Sequence, residues 1–149
     1  MNEKILCGKT LSQQILDTVS DEVENLRVNN QRQPALAVVL VGSDPASQVY
    51  VRNKKNACEK VAVKSLEYIL PAETNQAELV KLIQQLNADE SVDGILVQLP
   101  LPAHLDSKLI IDSILPNKDV DGFHRYNMGS LALKDPNIFP CTPHGVMYR

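Results

Sequence analysis

The chain has 149 residues, 44% hydrophobic and 22% charged, with a formal net charge of −3. That is the composition of one globular domain, and its mild acidity excludes a protein that works mainly by attraction to nucleic acid or an anionic membrane. No apolar run approaches the ~20 residues of a membrane span, the N-terminal MNEKILCGKT lacks a signal core, and the three scattered cysteines (Cys7, Cys58, Cys141) read as free thiols in a reducing cytoplasm.

From Lys9 to about Arg27, the residues Leu11, Ile15, Val19, Val23 and Leu26 recur at helical spacing and define one apolar face. ALAVVLV (Ala35–Val41), entered through Pro34, predicts a central strand covered on both sides. GSDPAS follows, where Asp44 suits an N-cap and Pro45 the first helical position, so a helix is expected from about Pro45 to Lys60. VKSLEYIL (Val63–Leu70) reads as a second strand closed by Pro71. Leu79, Leu82, Ile83 and Leu86 mark another amphipathic helix, opened by Asn75 and Glu78 as a capping box.

GILVQL is the third expected strand, and a helix around Asp106–Ile114 is ended by Pro116. After Pro116 the chain reads as loops, PNKDVDGFHRYNMGSL and then KDPNIFPCTPHGVMYR, rich in Pro, Gly, Asn and Asp. Strand and helix alternate after a leading helix, which predicts a three-layer α/β/α fold on a mostly parallel sheet. Ligands of such sheets sit beyond the carboxyl ends of the strands. The turn after the first strand, the end of the third and the late loops are expected to meet there.

On the helix after the first strand, Ser47, Tyr50 and Lys54 fall within about a 60° arc of one face. A solvated face explains such a pattern as readily as a site; the functional alternative is a flat ring beside an amine at the mouth of a cleft. DGILVQLPLP ends a core strand in an amide and two prolines. Gln98 either satisfies loose backbone groups there or faces a ligand. NKDVDG (Asn117–Gly122) has oxygen ligands at the first, third and fifth positions of a calcium loop, but the twelfth is Met128 rather than glutamate, which argues against calcium. A carboxylate in that Gly-bounded turn suits a pair of adjacent N–H donors instead. Cys141 and His144 lack the second pair a zinc site needs. His104 and His124 read as loop histidines with no evident partner. No dinucleotide fingerprint or Walker motif occurs.

VVLVGSDPASQVYVRNK, DGILVQLPLP, NKDVDGFH and PCTPHGV, in this order and spacing, closely resemble the bifunctional methylenetetrahydrofolate dehydrogenase/methenyltetrahydrofolate cyclohydrolase family across nearly the whole chain. The resemblance implies that residues 1–149 form the folate-binding catalytic domain of a two-domain enzyme. The linker to an NADP-binding Rossmann domain would begin at about 140–149. Asn56, Ala62, Arg125 and Ser130 stand where a lysine, a glycine, a proline and an arginine are usual.

The implied reactions are oxidation of 5,10-methylenetetrahydrofolate to the 5,10-methenyl cation with NADP, and hydrolysis of that cation to 10-formyltetrahydrofolate. The resemblance makes Lys54 the general base, Gln98 its orienting partner, Tyr50 a stacking platform and Asp121 the anchor of the pterin edge. Ser47, Val97, Pro100 and Leu101 would complete the folate pocket. Cys141 and Thr142 would lie near the cofactor, whose other contacts would come from the second domain, so NADP is not expected to bind this chain tightly. No metal is expected. Neither nucleic acid nor membrane is an expected partner, and the intact enzyme is expected to be a cytoplasmic homodimer. Two other readings remain open: a shikimate-dehydrogenase-like substrate domain, and a folate-binding fragment without catalysis.

Overall fold

The apolar run Ala35–Val41 is β1, the middle strand of a three-stranded parallel sheet in the order β2-β1-β3. The computed structural model describes residues 7–147. β2 (Lys64–Leu70) pairs along the whole of β1, and β3 (Gly94–Val97) lies on its other side. Alternation along β1 divides its side chains between two layers. Ala37, Val39 and Val41 join Ile95 and Val97 under α3 (Gln76–Ala88) and α4 (Ser107–Asp112), where Leu79, Ile83, Leu86 and Ile110 are buried. Val38, Leu40 and Leu96 face Val51 of α2 (Pro45–Lys60). Each large side chain so buried contributes about 1.5–3 kcal/mol relative to exposure, so these two layers carry the fold. α1 (Gly8–Val28) packs beside α2. Among the described residues no helix is long and apolar enough to cross a membrane.

The helix ends follow local chemistry. Asp44 accepts the Ser47 N–H at 2.7 Å ahead of Pro45, and Asn75 with Glu78 forms the expected reciprocal capping box. α2 closes in a Schellman motif: Val63 N–H donates to the Cys58 carbonyl at 2.9 Å, and Ala62 stands at φ 56°. Arg32 ties the start of β1 to the approach to β3 through a two-pronged contact with Asp93, at 2.6 and 2.7 Å.

The structure departs from the sequence reading beyond Pro116. The supposed loops contain α5 (Arg125–Ala132) and α6 (Cys141–Met147). Neither has a strong intrinsic signal. α5 is capped by an imidazole rather than a hydroxyl or carboxylate, since His124 Nδ1 accepts the Tyr126 N–H at 3.0 Å. α6 contains Pro143 and Gly145, and the Phe139 ring stacks on His144 with centroids 4.8 Å apart. His124 therefore has a structural role, and His104 also has a partner, with Nε2 2.9 Å from the Thr74 carbonyl oxygen. The third strand stops at Val97, two residues short of the run GILVQL. Gln98 makes the last rung, its N–H donating to the Val39 carbonyl at 2.8 Å, and the Leu99–Pro100 bond that follows is cis.

Candidate active site

α2 starts at the carboxyl end of β1, so its first turns flank the mouth of the sheet, and the i,i+4 spacing sets Tyr50 and Lys54 on that side. Lys54 Nζ donates to Gln98 Oε1 at 3.0 Å, across 44 positions of sequence. The Gln98 amide group donates to the Leu99 carbonyl at 2.7 Å. The glutamine is thus held from both sides, with its oxygen committed to the lysine. Pro100, having no N–H, leaves the chain free to depart from the sheet at this point.

The Asp121 carboxylate arrives on a turn. Lys118 and Asp119 run beside β3, with Ile95 N–H donating to the Lys118 carbonyl at 2.7 Å. Gly94 permits that approach, because a Cβ there would lie 2.4 Å from Val120 Cγ1. Asp119 is buried, and its Oδ2 accepts the His124 N–H at 2.8 Å and the Asn127 amide at 2.9 Å. The chain then turns at Gly122, φ 71°, against Phe139 and Pro140. Of the two aspartates in DVDG, the first is used internally. The second accepts no hydrogen bond among the described residues.

These elements enclose an open cleft of about 300 Å³ lined by Tyr50, Lys54, Gln98, Leu99, Asp121, Phe123, Cys141 and Thr142. Burial pushes the Asp121 carboxyl above its ordinary range; the Lys54 charge opposes this and the Asp119 charge adds to it. Burial likewise pushes the Cys141 thiol up, helped by Asp121. The cleft therefore combines an exposed aromatic ring, an amine oriented by an amide, and a carboxylate with free acceptor positions. That set can hold a flat ligand bearing N–H donors and place a proton-transferring group beside it.

Tyr50, Lys54, Gln98 and Asp121 meet in the cleft, with Cys141 and Thr142 at its rim. Ser47 does not line it: the residue is buried near the Asp44 cap. Val97 is buried in the core. Leu101 packs against the same cluster, and Pro100 is exposed beyond it. Phe123 lines the cleft without having been expected there. Its only sequence signal is its place after the Asp121–Gly122 turn, which directs the next residue back towards the sheet.

Among the described residues no group of three His, Cys, Asp or Glu side chains is placed to hold a metal. The described residues do not fit a dinucleotide either. The turn from β1 into α2 has one glycine, Gly42, and the helix N-terminus is already occupied by the Asp44 carboxylate, where a pyrophosphate would need free N–H groups.

Residues 6–121 match the family model described as tetrahydrofolate dehydrogenase/cyclohydrolase, catalytic domain. The bifunctional protein FolD of Neisseria gonorrhoeae is 56% identical over 147 residues, which is 99% of this chain and 52% of that relative. The FolD methylenetetrahydrofolate dehydrogenase/cyclohydrolase of Campylobacter jejuni, a crystal structure, superposes with a TM-score of 0.91 at 49% identity, over 94% of this chain and 50% of its own. The Trypanosoma brucei methylenetetrahydrofolate dehydrogenase-cyclohydrolase, solved with NADP and an inhibitor, gives 0.91 at 33% identity, over 99% and 51%. The chain spans about half the length of these relatives. With the Lys54–Gln98 pair and Asp121 in one cleft on this fold, the chain belongs to the tetrahydrofolate dehydrogenase/cyclohydrolase catalytic-domain family.

Proposed function

We propose that the chain binds 5,10-methenyltetrahydrofolate, hydrolyses it to 10-formyltetrahydrofolate, and holds 5,10-methylenetetrahydrofolate for oxidation by NADP. The observation that carries this reading is the 3.0 Å hydrogen bond from Lys54 to Gln98 in a cleft shared with Asp121. Tyr50 stacks on the folate, and Asp121 accepts the donor edge of the pterin. In the hydrolysis, water adds through oxygen to the methenyl carbon. Lys54 accepts one proton of the attacking water, which leaves a hydroxyl adduct; the bond from that carbon to N5 then breaks as the hydroxyl becomes the formyl carbonyl, N5 takes up one of the two water protons, and the other leaves to solvent. Gln98 keeps the amine aimed at the water. Such a base supplies about 10²–10⁴-fold in rate.

In the oxidation this chain's residues would bind and orient the folate, and NADP, if held elsewhere in a longer protein, would supply the hydride acceptor. Residues 140–149 would begin the linker to the nucleotide-binding part of a longer protein. A homodimer of the intact enzyme and a cytoplasmic setting belong to the same reading, the latter supported by free Cys7, Cys58 and Cys141.

The test mixes the chain with 5,10-methenyltetrahydrofolate without nucleotide and follows the methenyl absorbance. Loss above buffer that disappears in Lys54→Met is the expected result. Equal loss in both proteins would remove Lys54 from the chemistry. Folate binding without turnover would reduce the chain to a binding module.

A further inference from the structure

Asp119 is 2% exposed and Asn127 1%. Asp119 Oδ2 accepts from the His124 N–H and the Asn127 amide, and the same amide donates to the Pro116 carbonyl at 2.9 Å. Among the described residues no lysine or arginine forms an ion pair with Asp119. A neutral acceptor would make both hydrogen bonds without taking a charge out of water. A carboxylate at this point therefore calls for a role beyond holding the loop closed.

We propose that Asp119 is a positioning residue for the candidate site, fixing the Asp119–Gly122 turn through His124 and Asn127 so that Asp121 and Phe123 face the cleft opposite Lys54. Three observations meet in this assignment. The turn closes on Asp119 itself, whose carbonyl accepts the Gly122 N–H at 3.4 Å. Asp121 and Phe123 lie two and four residues beyond it, and both line the cleft. Asp119 also acts on Asp121 through its charge, one of the influences that favour the protonated form there. The other groups around Asp121 are Lys54 of α2, which acts in the opposite sense, and the Cys141 thiol of α6. Asp119 thus fixes the place of the carboxylate that would meet the ligand, and its charge adds to the burial that chiefly favours the protonated form there.

The assignment of a folate to the cleft rests on the proposed function; the positioning role does not, and the test keeps them apart. The Asp121 carboxyl is titrated by carbon-13 NMR in the ligand-free full chain, wild type and Asp119→Asn. The variant keeps an acceptor and removes the charge. Its Asp121 midpoint is expected to fall, because one neighbouring negative charge is removed. Titration with tetrahydrofolate under anaerobic conditions should show binding weakened about tenfold or more in Asp119→Ala, which removes the acceptor of the His124 and Asn127 hydrogen bonds and frees the turn. Asp119→Ser repeats both measurements if the asparagine variant does not fold. A purely structural Asp119 would lower the melting temperature and leave the Asp121 midpoint unmoved, which overturns the proposal. Wild-type protein that ignores tetrahydrofolate counts against the proposed function alone.

Discussion

Lys118 and Asp119 are neighbours in the chain that grip opposite parts of the fold. Lys118 Nζ reaches back to the carbonyls of Leu86, Asn87 and Asp89 at 3.1, 2.9 and 2.8 Å, while the Asp119 carboxylate reaches forward to the start of α5. The ammonium thereby satisfies carbonyls at the end of α3 that have no intrahelical partner, where the helix dipole also favours a cation. Lys118→Met keeps the apolar stem and removes the donors. It is expected to lower unfolding free energy by about 1–3 kcal/mol, read from urea denaturation. An unchanged midpoint would mean that water replaces the ammonium without loss.

Gly122 couples the Asp121 turn to the segment leading into α6. Its φ is 71°, and a Cβ would stand 3.0 Å from Pro140 N and 3.1 Å from the Phe139 carbonyl carbon. Backbone atoms cannot swing aside as a side-chain tip can. Gly122→Ala should destabilise by about 1–3 kcal/mol from strain alone and weaken folate binding as Asp121 moves. Full affinity in a folded variant would show that the turn tolerates displacement.

Ala62 is the converse case. It occupies the left-handed position of the α2 cap, φ 56°, where glycine has no Cβ penalty. Ala62→Gly should raise stability by up to about 1 kcal/mol, the relief of the left-handed backbone less the added freedom of the unfolded chain. Thermal denaturation at a single pH checks the sign. A fall in melting temperature would show that the alanine methyl contributes packing that outweighs its strain.

Asp121 should leave a pH signature on stability. Its proton is held more tightly in the folded state, so the native protein binds more protons than the unfolded chain just above the ordinary carboxylate range. Stability from this group is fully present below the unfolded value and is lost as pH rises through the folded one. Asp93, held below its ordinary range chiefly by its hydrogen bond to Arg32, acts in the opposite direction, so the Asp121 contribution must be isolated by difference. Asp121→Asn should gain stability relative to wild type as pH is raised from about 4, measured by urea melts across that range. A pH-independent difference would contradict it.

The two-layer core was legible because its signals are local. Asp44 and Pro45 start α2, Asn75 and Glu78 start α3, and the apolar run of β1 can be buried on both sides only at the centre of a sheet. The Tyr50–Lys54 pair was legible for the same reason, since helical spacing fixes it. What escaped was set by side-chain contacts that residue type and spacing do not announce. Ser47 shares an arc with Tyr50 and Lys54, yet it turns inward beside the cap. α5 and α6 draw on an imidazole cap and ring stacking rather than helix propensity. Both aspartates of DVDG look equivalent in sequence; only the placement of Asn127 and His124 separates the buried one from the one in the cleft. Phe123 entered through that same turn.

The segment from Lys118 to Val120 does more than carry Asp121. It lies along the outer side of β3, paired through Ile95 and packed on Gly94, and so occupies the edge that a four-residue apolar strand would otherwise offer to another chain. The remaining open edge belongs to β2, which carries Lys64 and Glu67, the latter engaged with Lys55 at 2.8 Å, and charge on an edge discourages strand addition. Damage to this segment would thus expose an adhesive border as well as disturb a site, and changes that detach it from β3, such as a side chain larger than hydrogen at Gly94, should send the protein to insoluble aggregates during expression.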